Sequence, residues 1–262
     1  MKKSAIWLAI ASTVLTVLPA TAGVIVTQQS VHPDGKGGTT TVTRTTMIEG
    51  NKEKVVDANR TSIVDLDKGA MFTLDEANKT ATEMSLDPKG HGGLLLQGML
   101  SSMAGNFKST GVHRKVAGYA CEEYTSSGTM MMVGEYSATT CFSKEAPGAS
   151  EYAKFYKRMM EKLGAIPAGG SFPEGIMLSQ ETAMKSAVPA MPGVPPEVAQ
   201  KLAEAKAKQG PQVTRTEVTN VKTQAISADT FEVPAGYKTQ TVDFGAMMGG
   251  GKPPAAKPAP HE

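Results

Sequence analysis

Catalytic and metal-binding patterns are missing from this chain. Its 262 residues include only two cysteines, four histidines and one tryptophan. The patterns HExxH, GxSxG, GxxxxGKS/T and GxGxxG, which indicate metalloproteases, hydrolases and phosphate or dinucleotide sites, do not occur. We interpret the acidic pairs Asp65/Asp67 and Glu122/Glu123 as solvated strand edges. The sequence therefore predicts a protein that is not an enzyme, with no catalytic residues, no cofactor and no metal site.

Long apolar runs and an excess of charge are missing as well. No stretch reaches the roughly 20 consecutive apolar residues of a membrane-spanning helix, so we predict that the chain does not span a membrane. The chain has 27 basic and 25 acidic residues, and two of the basic ones, Lys2 and Lys3, lie at the N-terminus. Without these two, the numbers are equal and the basic residues are scattered, which gives no electrostatic basis for binding nucleic acid.

The N-terminus has the pattern of an export signal. Lys2 and Lys3 precede an apolar run over 5–18, and Ala20-Thr21-Ala22 forms the small-residue cleavage site of a signal peptide. We therefore predict a signal peptide at 1–22 and an exported bacterial protein, periplasmic or extracellular. The mature chain is predicted to be one β-rich domain over 23–244. A Gly/Pro/Ala-rich, disordered tail follows at 245–262.

Most of the mature chain has the pattern of antiparallel strands. Thr, Val and Ile dominate short segments that alternate in polarity, and Gly-, Asn- and Asp-containing turns separate them. Because short turns join antiparallel neighbours, the segments before residue 92 are predicted to form a meander. The predicted strands are 23–31, 39–49, 54–57, 61–66, 70–74, 79–86, 111–125, 130–136, 175–181, 213–223 and 230–233, with a turn at 126–128.

The clearest helical pattern covers residues 150–163. Ser150 is the expected N-cap, and Gly164 ends the helix. The apolar residues of this segment recur at helical spacing and form one stripe, which consists of Tyr152, Phe155, Tyr156, Met159, Met160 and Leu163. The helix is therefore predicted to bury one face.

Two further segments have weaker helical patterns. Residues 92–104 place Leu95, Met99 and Met103 at helical spacing, which predicts a buried helix. A proline-bordered insertion at about 189–210 contains an Ala/Lys/Glu-rich segment with a weak apolar face, which predicts an exposed helix.

Cys121 and Cys141 are predicted to form a disulfide. An even number of cysteines in an exported chain favours pairing. The CxxC spacing of a redox dithiol is absent. Free thiols and a redox or metal role remain as alternatives.

The methionines suggest a second kind of site. Met130, Met131 and Met132 are consecutive, and thioethers are ligands of Cu(I). No histidine lies within ten residues of this triplet, and methionine is also a common filler of irregular cores and adaptable pockets. Core or pocket lining is therefore the favoured interpretation, and copper binding is the alternative.

Two motifs resemble a bacterial protein family. The segments 109–111 (STG) and 115–124 (KVAGYACEEY) are similar to the central motif of domain-of-unknown-function family 4412, a family of exported proteins. Residues 231–237 (FEVPAGY) are similar to its closing motif. The resemblance implies a fold like that of the lipoprotein-carrier (LolA-like) group, a curved antiparallel half-barrel closed by helices. It implies no catalytic residues.

These observations lead to a functional hypothesis. We expect a mainly β, α+β protein whose curved sheet carries two or three helices on its concave face. An apolar or lipid-like small molecule is the expected partner, and the candidate lining residues are Leu95, Met99, Met103, Phe155 and Met159. The alternative is a structural or interaction module with a filled core, and the second alternative is a Met-rich copper-binding protein. No pattern indicates a particular protein partner.

Overall fold

The computed structural model describes residues 22–34, 37–58, 60–89, 97, 107–130, 134–165, 172–186, 197–198, 200–201 and 210–241. Within these ranges, twelve strands form one sheet, together with helix α1 (Ala149–Lys162) and a short 3₁₀ helix (Ala228–Phe231). The strands are β1 (Gly23–Pro33), β2 (Thr39–Glu49), β3 (Lys52–Asp57), β4 (Thr61–Asp65), β5 (Ala70–Asp75), β6 (Thr80–Ser85), β7 (Lys108–Val116), β8 (Tyr119–Met130), β9 (Gly134–Ser143), β10 (Ile176–Ser186), β11 (Gln212–Gln224) and β12 (Lys238–Thr241).

The sheet runs from edge to edge in the order β12-β6-β5-β4-β3-β2-β1-β11-β10-β9-β8-β7. The first six strands form the predicted antiparallel meander. Pairing of β1 with β11, from Gly23 opposite Gln224 to Val31 opposite Arg215, joins this meander to the later strands. Only β12 breaks the antiparallel order among the described strands, because it pairs with β6 in parallel.

The predicted half-barrel with two or three helices on its concave face is wrong. The sheet is open. In the described part of the chain, α1 is the one α-helix that is described from its first residue to its last. Two features account for the difference. The β1–β11 pairing extends one sheet across both halves of the chain, and the outer strands β4–β6 are covered by residues 231–237 rather than by a helix. The helices predicted at 92–104 and within 189–210 lie almost entirely outside the described residues, as do 1–21 and 242–262.

Helix α1 lies across the middle of the sheet, where it contacts β1, β2 and β10. The helix predicted at 150–163 is confirmed to within one residue, and its apolar stripe packs into the main core. Ser150 is not the N-cap: Gly148 precedes the helix with a φ of 76°, and no side chain caps the first turn. The strand residues of this core include Val24, Val26, Ile48, Ile176, Leu178, Val218 and Val221.

The hairpin β7–β8 corrects a second prediction. The segment predicted as one strand at 111–125 turns at Ala117 and Gly118, so that Val116 pairs with Tyr119. Both turn residues have positive φ, 50° and 87°, which is the geometry of a type I′ hairpin turn. The turn predicted at 126–128 is instead part of β8, because these residues pair with β9.

The Ala117 conformation leads to a stability prediction. An alanine Cβ is crowded at positive φ, whereas asparagine tolerates this region and is preferred at the first position of type I′ turns. We expect Ala117→Asn to raise the free energy of unfolding by about 0.5–1 kcal/mol, as measured by urea denaturation. Ala235→Asn is the control, because Ala235 is exposed and is not among the residues with positive φ. An equal gain in both variants would contradict the turn geometry.

The C-terminal segment builds a second, smaller core. Val233 and Tyr237 pack on a cluster formed by Ile63, Leu74 and Ala81. The tyrosine hydroxyl donates a hydrogen bond to Glu76, and Lys238 N–H donates to the Lys79 carbonyl, which leads the chain into β12. The strand predicted at 230–233 is therefore wrong, since the 3₁₀ helix and an extended segment occupy this region.

Ion pairs hold the same segment. Lys52 and Lys68 both contact Glu232, at 3.1 and 3.0 Å, and both lie within 3.7 Å of the Asp65 carboxylate. Asp65 is 1% exposed and accepts hydrogen bonds from the backbone N–H groups of Asp67 and Lys68. The interpretation of Asp65 as part of a solvated strand edge is therefore wrong: it organises the turn after β4.

Candidate functional site

A cavity of about 680 Å³ lies beside helix α1. Its walls come from one flank of the helix, from Lys144 after β9, and from residues 172–175, which lead into β10. The apolar part of the lining consists of Ala149, Ala153, Met160, Phe172 and Pro173. The cavity thus has an apolar surface formed by two parts of the chain.

Two features hold the 172–175 wall in place. Gly175 has a φ of 111°, and a Cβ there would lie 2.2 Å from the Ser143 carbonyl oxygen, so only glycine permits this close approach. Phe172 packs edge-on against Phe107 and Phe142, with ring centroids 5.3 and 5.6 Å apart. Since Phe142 is buried and belongs to β9, these contacts fix the wall to the sheet.

Charged side chains border the apolar lining. Lys144, Lys154 and Lys157 all line the cavity, and among the described lining residues Glu174 is the one acidic residue. Lys144 Nζ lies 3.3 Å from a Glu174 carboxylate oxygen, and Lys157 Nζ lies 4.0 Å from Glu161. Lys154 makes no ion pair in the part of the chain that the structure describes. The helix side of the cavity therefore has a positive edge.

A buried carboxyl group lies elsewhere under α1. Glu53 of β3 is 6% exposed, and its carboxylate accepts a hydrogen bond of 2.6 Å from the Tyr156 hydroxyl. Burial raises the pKa of Glu53 to about 7, against smaller lowering effects of the Tyr156 hydrogen bond and of Arg44. Burial likewise raises the pKa of Tyr152 and Tyr156. The Glu53 carboxyl group, which lies at the interface of helix and sheet, is therefore expected to change charge near neutral pH.

Sequence reasoning missed Glu53, although a signal for it existed. The alternation of β2 indicated one face containing Thr46 and Ile48, and both are buried. The turn at Gly50 and Asn51 places Glu53 directly opposite Ile48. Because directly opposite residues point to the same face of a sheet, this register puts a carboxyl group in the core.

The predicted site residues fall into two groups. Phe155 and Met159 are 0% and 8% exposed and belong to the same apolar cluster as Met160, which lines the cavity. Leu95, Met99 and Met103 lie outside the described residues. Their role in ligand binding, like that of Phe155 and Met159, stays a prediction.

The two cysteines form the predicted disulfide. Cys121 and Cys141 are bonded, with their Cα atoms 5.5 Å apart. The bond links β8 to β9, and both residues are buried in the main core. It is therefore a structural crosslink, and Cys141 directly precedes Phe142, the residue that supports the cavity wall.

The copper alternative depends on side chains that are not described. Of the triplet, Met131 and Met132 lie outside the described residues, and so does the side chain of Met130. Across the described ranges, there is no group of three or more His, Cys, Asp or Glu side chains that could hold a metal ion.

Comparison with known proteins yields only distant structural similarity. No protein-family model and no curated protein matches the chain. PNGF-II matches with a TM-score of 0.41 and 11% sequence identity, over 85% of this chain and 31% of that one. The MucA/MucB complex of Pseudomonas aeruginosa matches with a TM-score of 0.37 and 12% identity, over 85% of this chain and 59% of the matched chain. A LolA superfamily protein from Nitrosomonas europaea also matches, with a TM-score of 0.28 and 8% identity, over 82% of this chain and 91% of that one.

These matches have a limited meaning. The chain spans about a third of PNGF-II and less than two thirds of the matched chain of the MucA/MucB complex. The matching structures include a LolA superfamily protein and a putative outer membrane lipoprotein-sorting protein domain, whereas no family model, that of family 4412 included, matches the chain. At TM-scores below 0.5, none of these similarities supports an argument about function.

Proposed function

We propose that this chain is an exported, non-catalytic protein that binds an apolar, lipid-like molecule beside helix α1. The observation that supports the proposal is the cavity of about 680 Å³ with its apolar lining. Ligand sites have volumes of roughly 300–1,000 Å³ and are mostly apolar. The cavity is therefore of a suitable size and chemistry for a single hydrocarbon chain.

The cavity favours binding over the alternative of a module with a filled core. The space between α1 and residues 172–175 is open to solvent on one side and mostly apolar on the other, and a concave apolar surface of this kind is the usual form of a ligand site. Phe155 and Met159 would form the layer behind Met160, and Leu95, Met99 and Met103 are proposed to extend the lining.

Two further observations support the location outside the cytoplasm. The N-terminus has the pattern of a signal peptide, and the Cys121–Cys141 disulfide is of the kind that persists in oxidising compartments. Among the described helices, none has the length and apolar character needed to cross a bilayer.

The proposal is tested by filling the cavity. Ala153 is half-buried in the lining, and Ala153→Trp would place an indole in the space that the ligand needs. Titration with the neutral apolar fluorophore N-phenyl-1-naphthylamine should give saturable binding to the wild type, and the variant should bind about tenfold more weakly or worse. Ala235→Trp, at an exposed position near the opposite end of the sheet, should bind like the wild type. No saturable binding by the wild type, or equal binding by all three proteins, would contradict the proposal.

A further inference from the structure

We infer that the molecule held in this cavity is a single-chain amphiphile with an anionic head group, such as that of a long-chain fatty acid, and that Lys154 and Lys157 hold the head. The inference rests on the proposed function and adds the chemical class of the ligand. It follows from the charges around the cavity, the order of residues on α1 and the ion pairs that the lysines make.

The charge around the cavity differs from that of the whole chain. Beyond its first three residues, the chain has equal numbers of basic and acidic residues. The charged residues in the described part of the cavity lining are instead three lysines and one glutamate. An excess of positive charge at an apolar cavity is complementary to a ligand that joins a hydrocarbon chain to an anion.

The ion pairs determine which lysines are available. Lys144 lies 3.3 Å from Glu174, and since both residues line the cavity their charges cancel in its net charge, although this pair is as exposed as that of Lys157. Lys157 has only a contact of 4.0 Å with Glu161, and both side chains are more than half exposed. Such surface pairs contribute little to stability and are easily exchanged. With Lys154 unpaired in the described part of the chain, the uncompensated charge lies on the helix side.

The order of residues along α1 places this charge next to the apolar strip. Lys154 and Lys157 are three residues apart and therefore neighbours on the helix surface. Ala153 and Met160 lie beside them and line the same cavity. Lysine side chains can lay their methylene groups along apolar surface while the ammonium group stays in water. The chain of the ligand would thus lie against Ala153 and Met160, and its head would meet the two ammonium groups at the rim.

The first turn of α1 adds to the positive electrostatic potential at the cavity. Ala149 and Ser150 line the cavity, and no side chain caps this end of the helix. The N-terminal end of a helix carries partial positive charge, which favours a nearby anion. This contribution supports the lysines and does not define a site without them.

The test compares four ligands that share one hydrocarbon chain. Hexadecanoate, hexadecyl phosphate, hexadecanol and hexadecyltrimethylammonium compete with the neutral fluorophore below their critical micelle concentrations. Three proteins are used: the wild type, the double variant Lys154→Gln/Lys157→Gln, and Lys222→Gln, a control at an exposed strand position outside the lining. Because both cavity lysines are exposed, the double variant should keep the wild-type circular dichroism spectrum and unfolding midpoint.

We expect hexadecanoate to bind the wild type about tenfold more tightly than hexadecanol, and the ammonium compound to bind most weakly. The double variant should bind hexadecanoate no more tightly than hexadecanol, while its affinity for hexadecanol stays unchanged. The Lys222 variant should keep the wild-type preference for hexadecanoate. Added salt should reduce the preference, since these charges are exposed to solvent.

Other outcomes separate the two proposals. Equal binding of hexadecanoate and hexadecanol by the wild type, or a preference that survives in the double variant, would overturn the anionic-head inference and leave the apolar-ligand proposal standing. Binding of hexadecanoate or of hexadecyl phosphate about tenfold more tightly than hexadecanol, lost in the double variant, would support the inference, and the tighter of the two would identify the head group. Failure of all four compounds to displace the fluorophore would overturn both proposals.

Discussion

Replacing Cys121 and Cys141 together by alanine should lower the free energy of unfolding by about 3 kcal/mol. The disulfide closes a loop with a sequence separation of 20 residues, and its removal returns that loop's conformational entropy to the unfolded chain. Both cysteines are buried in the main core, at 3% and 0% exposure, so the alanine pair also leaves apolar contacts unmade. Urea denaturation measures the loss directly.

The matched control is the wild type treated with a reductant. Reduction opens the crosslink without removing the sulfur atoms, so it should reproduce most of the loss in stability. Wild-type and double-alanine proteins that unfold at the same urea concentration with the same slope would contradict a structural role for the bond. Labelling of unreduced, denatured wild type with a thiol reagent should find no free thiol.

The contribution of Glu53 to wild-type stability should fall by up to roughly 3 kcal/mol as the pH rises from about 4.5 to about 7. Burial raises the pKa of Glu53 from 4.5 to about 7. Between these values the folded protein holds a proton that the unfolded chain has released, so each step up in pH favours unfolding. The stabilisation by Glu53 is therefore complete below pH 4.5 and is lost above about pH 7.

The variant Glu53→Gln isolates this contribution. Glutamine can still accept the Tyr156 hydrogen bond and carries no charge, so the variant should be the more stable protein at pH 8 and lose the corresponding slope. Glu217→Gln, at an exposed position of β11, should keep the wild-type pH dependence. The difference in unfolding free energy between wild type and each variant, measured from pH 4 to 8, cancels the titration of all other groups. A flat difference for Glu53→Gln would show that this carboxyl is not held at a raised pKa.

Elements specified by local sequence could be predicted. The apolar stripe of residues 150–163 predicted α1 because one buried face is enough to define a helix. Short polar turns predicted the meander of β1–β6, since each strand pairs with its neighbour in sequence. Local patterns failed at the β7–β8 hairpin, where Ala117 and Gly118 lack the Asn-Gly or Asp-Gly signature and the Ser-Ser-Gly of β8 resembles a turn.

Elements that depend on distant parts of the chain could not be predicted in the same way. The parallel pairing of β12 with β6 and the antiparallel pairing of β1 with β11 join segments more than 150 residues apart, and no local pattern encodes them. The cavity has the same origin: it lies between α1 and residues 172–175, and its volume depends on how Phe172 and Gly175 pack on β9. The sequence therefore predicted an apolar ligand and five lining residues, which stay a prediction, but it did not indicate the wall formed by residues 172–175.

The claim that this protein binds a lipid-like molecule is tested most directly by native mass spectrometry of protein purified from the cells that naturally produce it, followed by lipid extraction. The wild type should carry an additional mass equal to one single-chain anionic lipid, and the extract should contain that lipid in stoichiometric amount. Ala153→Trp, produced in the same cells, should carry none. Bare protein mass for the wild type, with no lipid in the extract, would contradict the account.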